Sequence, residues 1–123
     1  MMVYLASPYT HKEESVMRHR EEMVSIVAAE LTALHRVTLF LPITQSHRMT
    51  EVRPKLFKTS FAAWKDIDLD ALEHCDELWV VKLPGWDDSV GVLAEILHAG
   101  SIKIPVRYIN PLTYKFEEEL SWI

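Results

Sequence analysis

The sequence predicts an α/β domain of three layers, α/β/α, built on a parallel sheet of four to five strands. Short apolar runs, closed by prolines or turns, alternate with longer stretches of helical spacing. That alternation calls for a parallel sheet covered by helices on both faces. At 123 residues the chain, residues 1–123, has room for a single domain with one core.

Met2 to Ser7 is apolar, ends at Pro8 and reads as a buried first strand. From Lys12 to about His35 the spacing becomes helical, with Val16, Met23, Val27, Leu31 and Leu34 on one face. Val37 to Leu41 is a second strand ended by Pro42, and the polar segment Ile43 to Lys58 reads as a long loop. A second helix spans about Phe61 to Cys75, and a strand follows from Leu78 to Leu83. Pro84 to Asp88 forms a turn, and Ser89 opens a third helix to about Ala99, with Gly100 suited to its end. Pro105 to Ile109 is the last strand, and a short amphipathic tail follows it.

The balance is that of an ordinary globular protein, 49% hydrophobic and 25% charged. A net charge of -5 without a basic stripe argues against polymeric nucleic acid as a partner. The nearest basic cluster is Arg53, Lys55 and Lys58. One small anion is still compatible with this charge, because a helix terminus and a hydroxyl or two suffice to hold it. No apolar run is long enough to span a bilayer, and the amino-terminal residues lack a signal-peptide pattern. Cys75 is the sole cysteine, so no intrachain disulfide forms, and its apolar context suggests a buried, inert thiol. A cytoplasmic setting fits these features. His11, His19, His35, His47, His74 and His98 form no helix-spaced metal pair with a carboxylate, so no metal is expected. Three glycines cannot build a dinucleotide loop or a P-loop, and no other cofactor is expected.

Ligands of such sheets bind beyond the carboxyl ends of the strands. Three loops therefore matter: Ser7 to His11, Pro42 to His47, and Pro84 to Ser89. Two carboxylates are out of place on their helices. On a helical wheel Asp66, Asp70 and Glu73 share the polar side, whereas Asp68 falls between Trp64 and Leu72 on the apolar arc, which also holds Phe61, Ile67, Ala71 and Cys75. It either caps an amide or pairs with a lysine, or it is a functional carboxyl whose pKa burial raises. The third helix is apolar nearly all round, as if packed on the sheet on one side and on another subunit on the other. Glu95 is its one acidic residue, without an evident basic partner, and Gly91 lies a turn earlier on the same face. Ser89 serves as a simple N-cap or adds a hydroxyl to an anion site at the helix start. Tyr4 either packs within its strand or stands beside the ligand crevice. His47 either lines the pocket with Ser46 or is solvated.

Taken together, Tyr4-Leu5-Ala6-Ser7-Pro8-Tyr9, the pair Asp68 and Asp76, and Ser89-Val90-Gly91-Val92-Leu93-Ala94-Glu95 resemble the nucleoside 2-deoxyribosyltransferase family. With Ser46-His47 and Leu83-Pro84-Gly85-Trp86 included, the chain from Tyr4 to about Tyr108 is more similar still to the DUF1937 branch of that superfamily. The resemblance implies a flavodoxin/Rossmann-like sheet, a homo-oligomer (dimer or tetramer) and cleavage or transfer at an N-glycosidic bond. It implies that Glu95 attacks the anomeric carbon, that Asp68 handles the proton of the base, and that Tyr4 orients Glu95. Contacts to a small nucleoside or nucleotide are expected from Ser7, Pro8, Tyr9, Ser46, His47, Trp86, Asp88, Ser89 and Gly91. Nucleoside transferases of the family carry an Asp where this chain has Ser89. Related hydrolases of deoxynucleoside 5′-monophosphates place a phosphate-binding serine there, although Pro8 and Thr10 stand where those enzymes use Ser and Arg. A non-catalytic nucleotide-binding or sensing module of the same fold is the alternative, and a purely structural oligomer a third reading.

Overall fold

The computed structural model describes residues 1–57 and 61–117. Its elements run β1 (Met2–Ala6), α1 (Glu14–His35), β2 (Thr38–Phe40), α2 (Pro42–Val52), α3 (Phe61–Glu73) and β3 (Glu77–Val81). A short 3-10 turn (Trp86–Asp88), α4 (Val90–Ser101), β4 (Val106–Ile109) and β5 (Phe116–Glu117) complete them. The strands form one sheet in the order β2-β1-β3-β4-β5, parallel except where β5 runs antiparallel to β4. This is the flavodoxin-like order, and its strand sequence reverses direction across the sheet between β1 and β3.

Strand alternation divides the core into two halves. Val3 and Leu5 of β1 pack with Trp79 and Val81 of β3 against Val24, Val27, Ala28 and Leu31 of α1. Tyr4 and Ala6 point the other way and pack with Leu78 and Val80 against Leu72 of α3 and Val92 and Ala99 of α4. Each large, fully buried side chain of this kind contributes about 1.5–3 kcal/mol. Asp76 fixes the register at the start. Its Oδ2 accepts from the Met2 amide at 2.8 Å, and its own amide donates to the Met2 carbonyl at 2.7 Å.

The segment expected as a long loop from Ile43 is instead helical through α2. Pro42, which stops β2, also occupies the first helical position, where its fixed φ suits a helix and its missing amide costs nothing. Polarity concealed this, since Ser46 is among the buried residues of α2. Lys58, the last residue of that expected loop and one of the basic cluster, lies outside the described residues. So does 118–123 of the expected tail, whose earlier part supplies β5. Leu34 is exposed, contrary to its expected place on the α1 core face; His35 takes the inward place, edge-on to Trp79 and tilted against Phe116. Ile67 is also exposed, because α3 buries the single row Trp64, Asp68 and Leu72. Gly100 does not end α4. The helix continues to Ser101, and the left-handed residue is Lys103, at φ 63°. Among the described residues no helix is long and apolar enough to cross a membrane.

Candidate active site

A cavity of about 510 Å³ opens where β1 and β3 end, the point at which the strand order reverses. Three side chains from distant parts of the chain converge there. Asp68 sits in the middle of the buried row of α3, one turn from Trp64 and one from Leu72. Glu95 holds the corresponding place on α4, between buried Val92 and Ala99. Both carboxylates line the cavity although each is more than nine-tenths buried. Tyr4 is completely buried beneath them and donates its phenolic hydrogen to Glu95 Oε2.

The electrostatics follow from this burial. Asp68 has no ion pair or hydrogen bond among the described residues, so neither the capping nor the lysine-pairing reading accounts for it. Desolvation pushes its carboxyl up to about 6. Desolvation also pushes Glu95 up to about 8; the Tyr4 hydroxyl opposes the rise and the charge of Asp68 adds to it. Burial first, then Glu95, drives the Tyr4 phenol far above its ordinary range, so it remains a hydrogen-bond donor. The Cys75 thiol is buried and pushed up to about 11, mainly by burial, as an unreactive thiol would be.

Of the remaining residues expected at the site, Ser7, Tyr9, Ser46, Asp88, Ser89 and Gly91 line the cavity. Ser7 Oγ is buried and has no hydrogen-bond partner among the described residues, so its polar capacity is open to a ligand. Ser89 caps α4, its hydroxyl accepting from the Val92 amide at 3.2 Å. Gly91 lines the cavity beside Phe61. The space its missing side chain leaves is taken by Phe61, whose Cδ1 would lie 3.0 Å from an added Cβ. Pro8, His47 and Trp86 do not line the cavity. His47 stands behind Tyr9, accepting or sharing the phenolic hydrogen through Nδ1 at 2.7 Å. Trp86 packs on Tyr108 at a centroid distance of 5.5 Å, with the Lys82 ammonium over its ring.

Two features of the wall escaped the sequence reading. Phe61 and Trp64 give it an aromatic side, and Phe57 stacks on Trp64. The second is Arg20, half-buried on α1 between Val16 and Met23. Its guanidinium donates to the carbonyls of Tyr9 (3.4 Å), Thr10 (3.2 Å) and Pro84 (3.4 Å), tying together the loops after β1 and β3. Both had a signal on the wheel: Trp64 stands beside Asp68, and Arg20 falls within the α1 stripe of Val16, Met23, Val27 and Leu31, where a charge is as out of place as Asp68 is on α3. Among the described residues no three His, Cys, Asp or Glu side chains are grouped to hold a metal ion.

The fold is shared with a 2-deoxyribosyltransferase from the psychrotolerant bacterium Bacillus psychrosaccharolyticus. The two structures superpose with a TM-score of 0.57 at 21% sequence identity, over 95% of this chain and 77% of that one. No curated protein matches the sequence. The sequence pattern of DUF1937, a domain of unknown function, matches residues 1–110, and the chain belongs to that family.

Proposed function

We propose that the protein cleaves or transfers the N-glycosidic bond of a nucleoside or nucleoside monophosphate in two steps through Glu95 and Asp68. The observation that carries this reading is the convergence of two buried carboxylates on one cavity, one of them hydrogen-bonded by Tyr4. In the first step a Glu95 carboxylate oxygen bonds to the anomeric carbon as the bond to the base nitrogen breaks. The electron pair leaves with the base, and Asp68 supplies a proton to it. In the second, water or a second base attacks the same carbon, the Glu95 ester bond breaks, and Asp68 accepts the proton released by the acceptor. Tyr4 orients Glu95 and stabilises its anion. The Phe61 and Trp64 side of the cavity suits the flat face of a base.

A 5′-monophosphate substrate is supported by Ser89 and the first-turn amides of α4, which offer a hydroxyl, free N–H groups and the positive end of a helix dipole. Val90, Leu93 and Leu97 form an exposed apolar stripe on α4, which supports association with further copies of the chain. The setting proposed is the cytoplasm. A second reading, a binding module without turnover, is favoured by one observation: Glu95 at about 8 is mostly protonated at neutral pH, a poor state for a nucleophile.

One experiment separates the two. The protein is incubated with a panel of nucleosides and nucleoside monophosphates, and free base is measured by chromatography. An enzyme releases base from at least one of them, and Glu95→Gln abolishes the release while keeping the fold. No release from any compound, with a ligand-induced rise in Tm, selects the binding module.

A further inference from the structure

A second cavity, about 540 Å³, lies on the other side of the loop after β3, between α1 and the segment after β4. Met23, Leu83 and Leu112 give it an apolar wall, and His19, Arg20 and Lys82 bring nitrogen donors to the same space. No carboxylate lines it, in a chain whose net charge is -5. Lys82 is partly neutralised by Glu117 at 3.3 Å. Arg20 is not. Its hydrogen bonds go to three backbone carbonyls, and no carboxylate pairs with it among the described residues. A guanidinium carries five N–H donors, so the Nε hydrogen and one on Nη2 have no acceptor among the described residues.

We propose that this cavity binds a small amphipathic anion, an apolar body of acyl-chain size with one carboxylate or phosphate. The apolar body contacts Met23, Leu83 and Leu112, and the anionic end meets Arg20 and His19. A buried or half-buried cation facing an apolar space selects the ligand that brings the opposite charge, because a neutral ligand of the same shape leaves the guanidinium desolvated and unpaired. Arg20 lines both cavities, so an anion that draws its guanidinium changes the hydrogen bonds to Tyr9, Thr10 and Pro84. Occupancy of the second cavity is therefore felt at the loops that frame the first. This inference stands independently of the reaction proposed for the first cavity.

Octanoate is the probe, followed by amide NMR titration of the whole chain, with octanol testing the charge and acetate the apolar body. Octanoate is expected to bind with octanol and acetate each about tenfold weaker or worse. Amide shifts are expected at Met23, Leu83 and Leu112, with a second group at Thr10 and Gly85. The double variant H19E/L112D changes two exposed side chains and is expected to keep the fold while losing octanoate binding. Equal binding of octanol, shifts confined to residues around Glu95, undiminished binding by the double variant, or no binding at about 10 mM octanoate would each overturn the proposal.

Discussion

Replacing Glu95 by glutamine removes a carboxyl that the fold holds in its protonated form and keeps an oxygen to accept from Tyr4. In the unfolded chain Glu95 ionises near its ordinary 4.5, whereas in the folded protein burial defers ionisation to about 8. Between those values the unfolded state has lost a proton that the folded state retains, so the wild-type protein loses stability as pH rises through this window. At 1.36 kcal/mol per pH unit, the interval from 4.5 to about 8 corresponds to a ceiling of about 5 kcal/mol, complete above pH 8. Relaxation around the ion and entry of water lower the effect, and about 2–5 kcal/mol is expected. Asp68 adds a similar decline between 3.8 and about 6, but it does so in both proteins and largely cancels from their difference. Urea denaturation of wild type and Glu95→Gln at about pH 5 and about pH 8.5 measures the effect. The variant should gain on the wild type as pH rises. Parallel pH slopes in the two proteins would refute a Glu95 carboxyl desolvated in the native state.

The same ordering governs the proposed reaction, which needs Glu95 ionised and Asp68 protonated although the free site favours the opposite arrangement. The competent form is then about one molecule in a hundred, and kcat/KM should follow a bell with limbs near 6 and 8. A profile flat from about pH 5 to about pH 9 would exclude that pair as the working groups. Gly91→Ala gains about 0.5–1 kcal/mol of helix propensity but pushes on Phe61, which has the cavity to move into. Thermal melts should show little change, whereas ligand titration should show weaker binding; a large loss of stability would mean that Phe61 cannot yield. Leu97→Lys places a charge on the exposed stripe of α4 and should shift sedimentation toward the monomer with Tm of the monomer unchanged. An unchanged sedimentation coefficient would place the subunit contact elsewhere or rule it out.

The alternation of apolar runs with helical stretches was sufficient for the three-layer α/β class, because burial on both faces leaves a local signature in each strand. The misfit of Asp68 and Glu95 was equally legible, since a wheel reports which residues share a stripe. Where a residue had two compatible roles, local pattern failed. Pro42 stops one element and begins the next, and a buried serine made α2 look like a loop. Leu34 and Ile67 fit their stripes but lie beyond the area that neighbouring elements cover. Periodicity gives a direction and not the extent of what lies there.

The sequence alone determined on which stripe of its element each side chain stands, and hence that two carboxylates would share a stripe with apolar neighbours. Only the tertiary structure decided what they meet. Tyr4 and Glu95 are 91 residues apart in the chain. They touch because β1 lies between β2 and β3 and α4 crosses the face to which Tyr4 points. Arg20 shows the same limit. Its place on the apolar stripe of α1 marks it as misplaced, but only the packing of α1 brings its guanidinium to the carbonyls of two loops that the strand order sets side by side. The stripe on which a residue stands is a property of a few neighbouring residues, whereas such contacts depend on how the whole sheet is ordered.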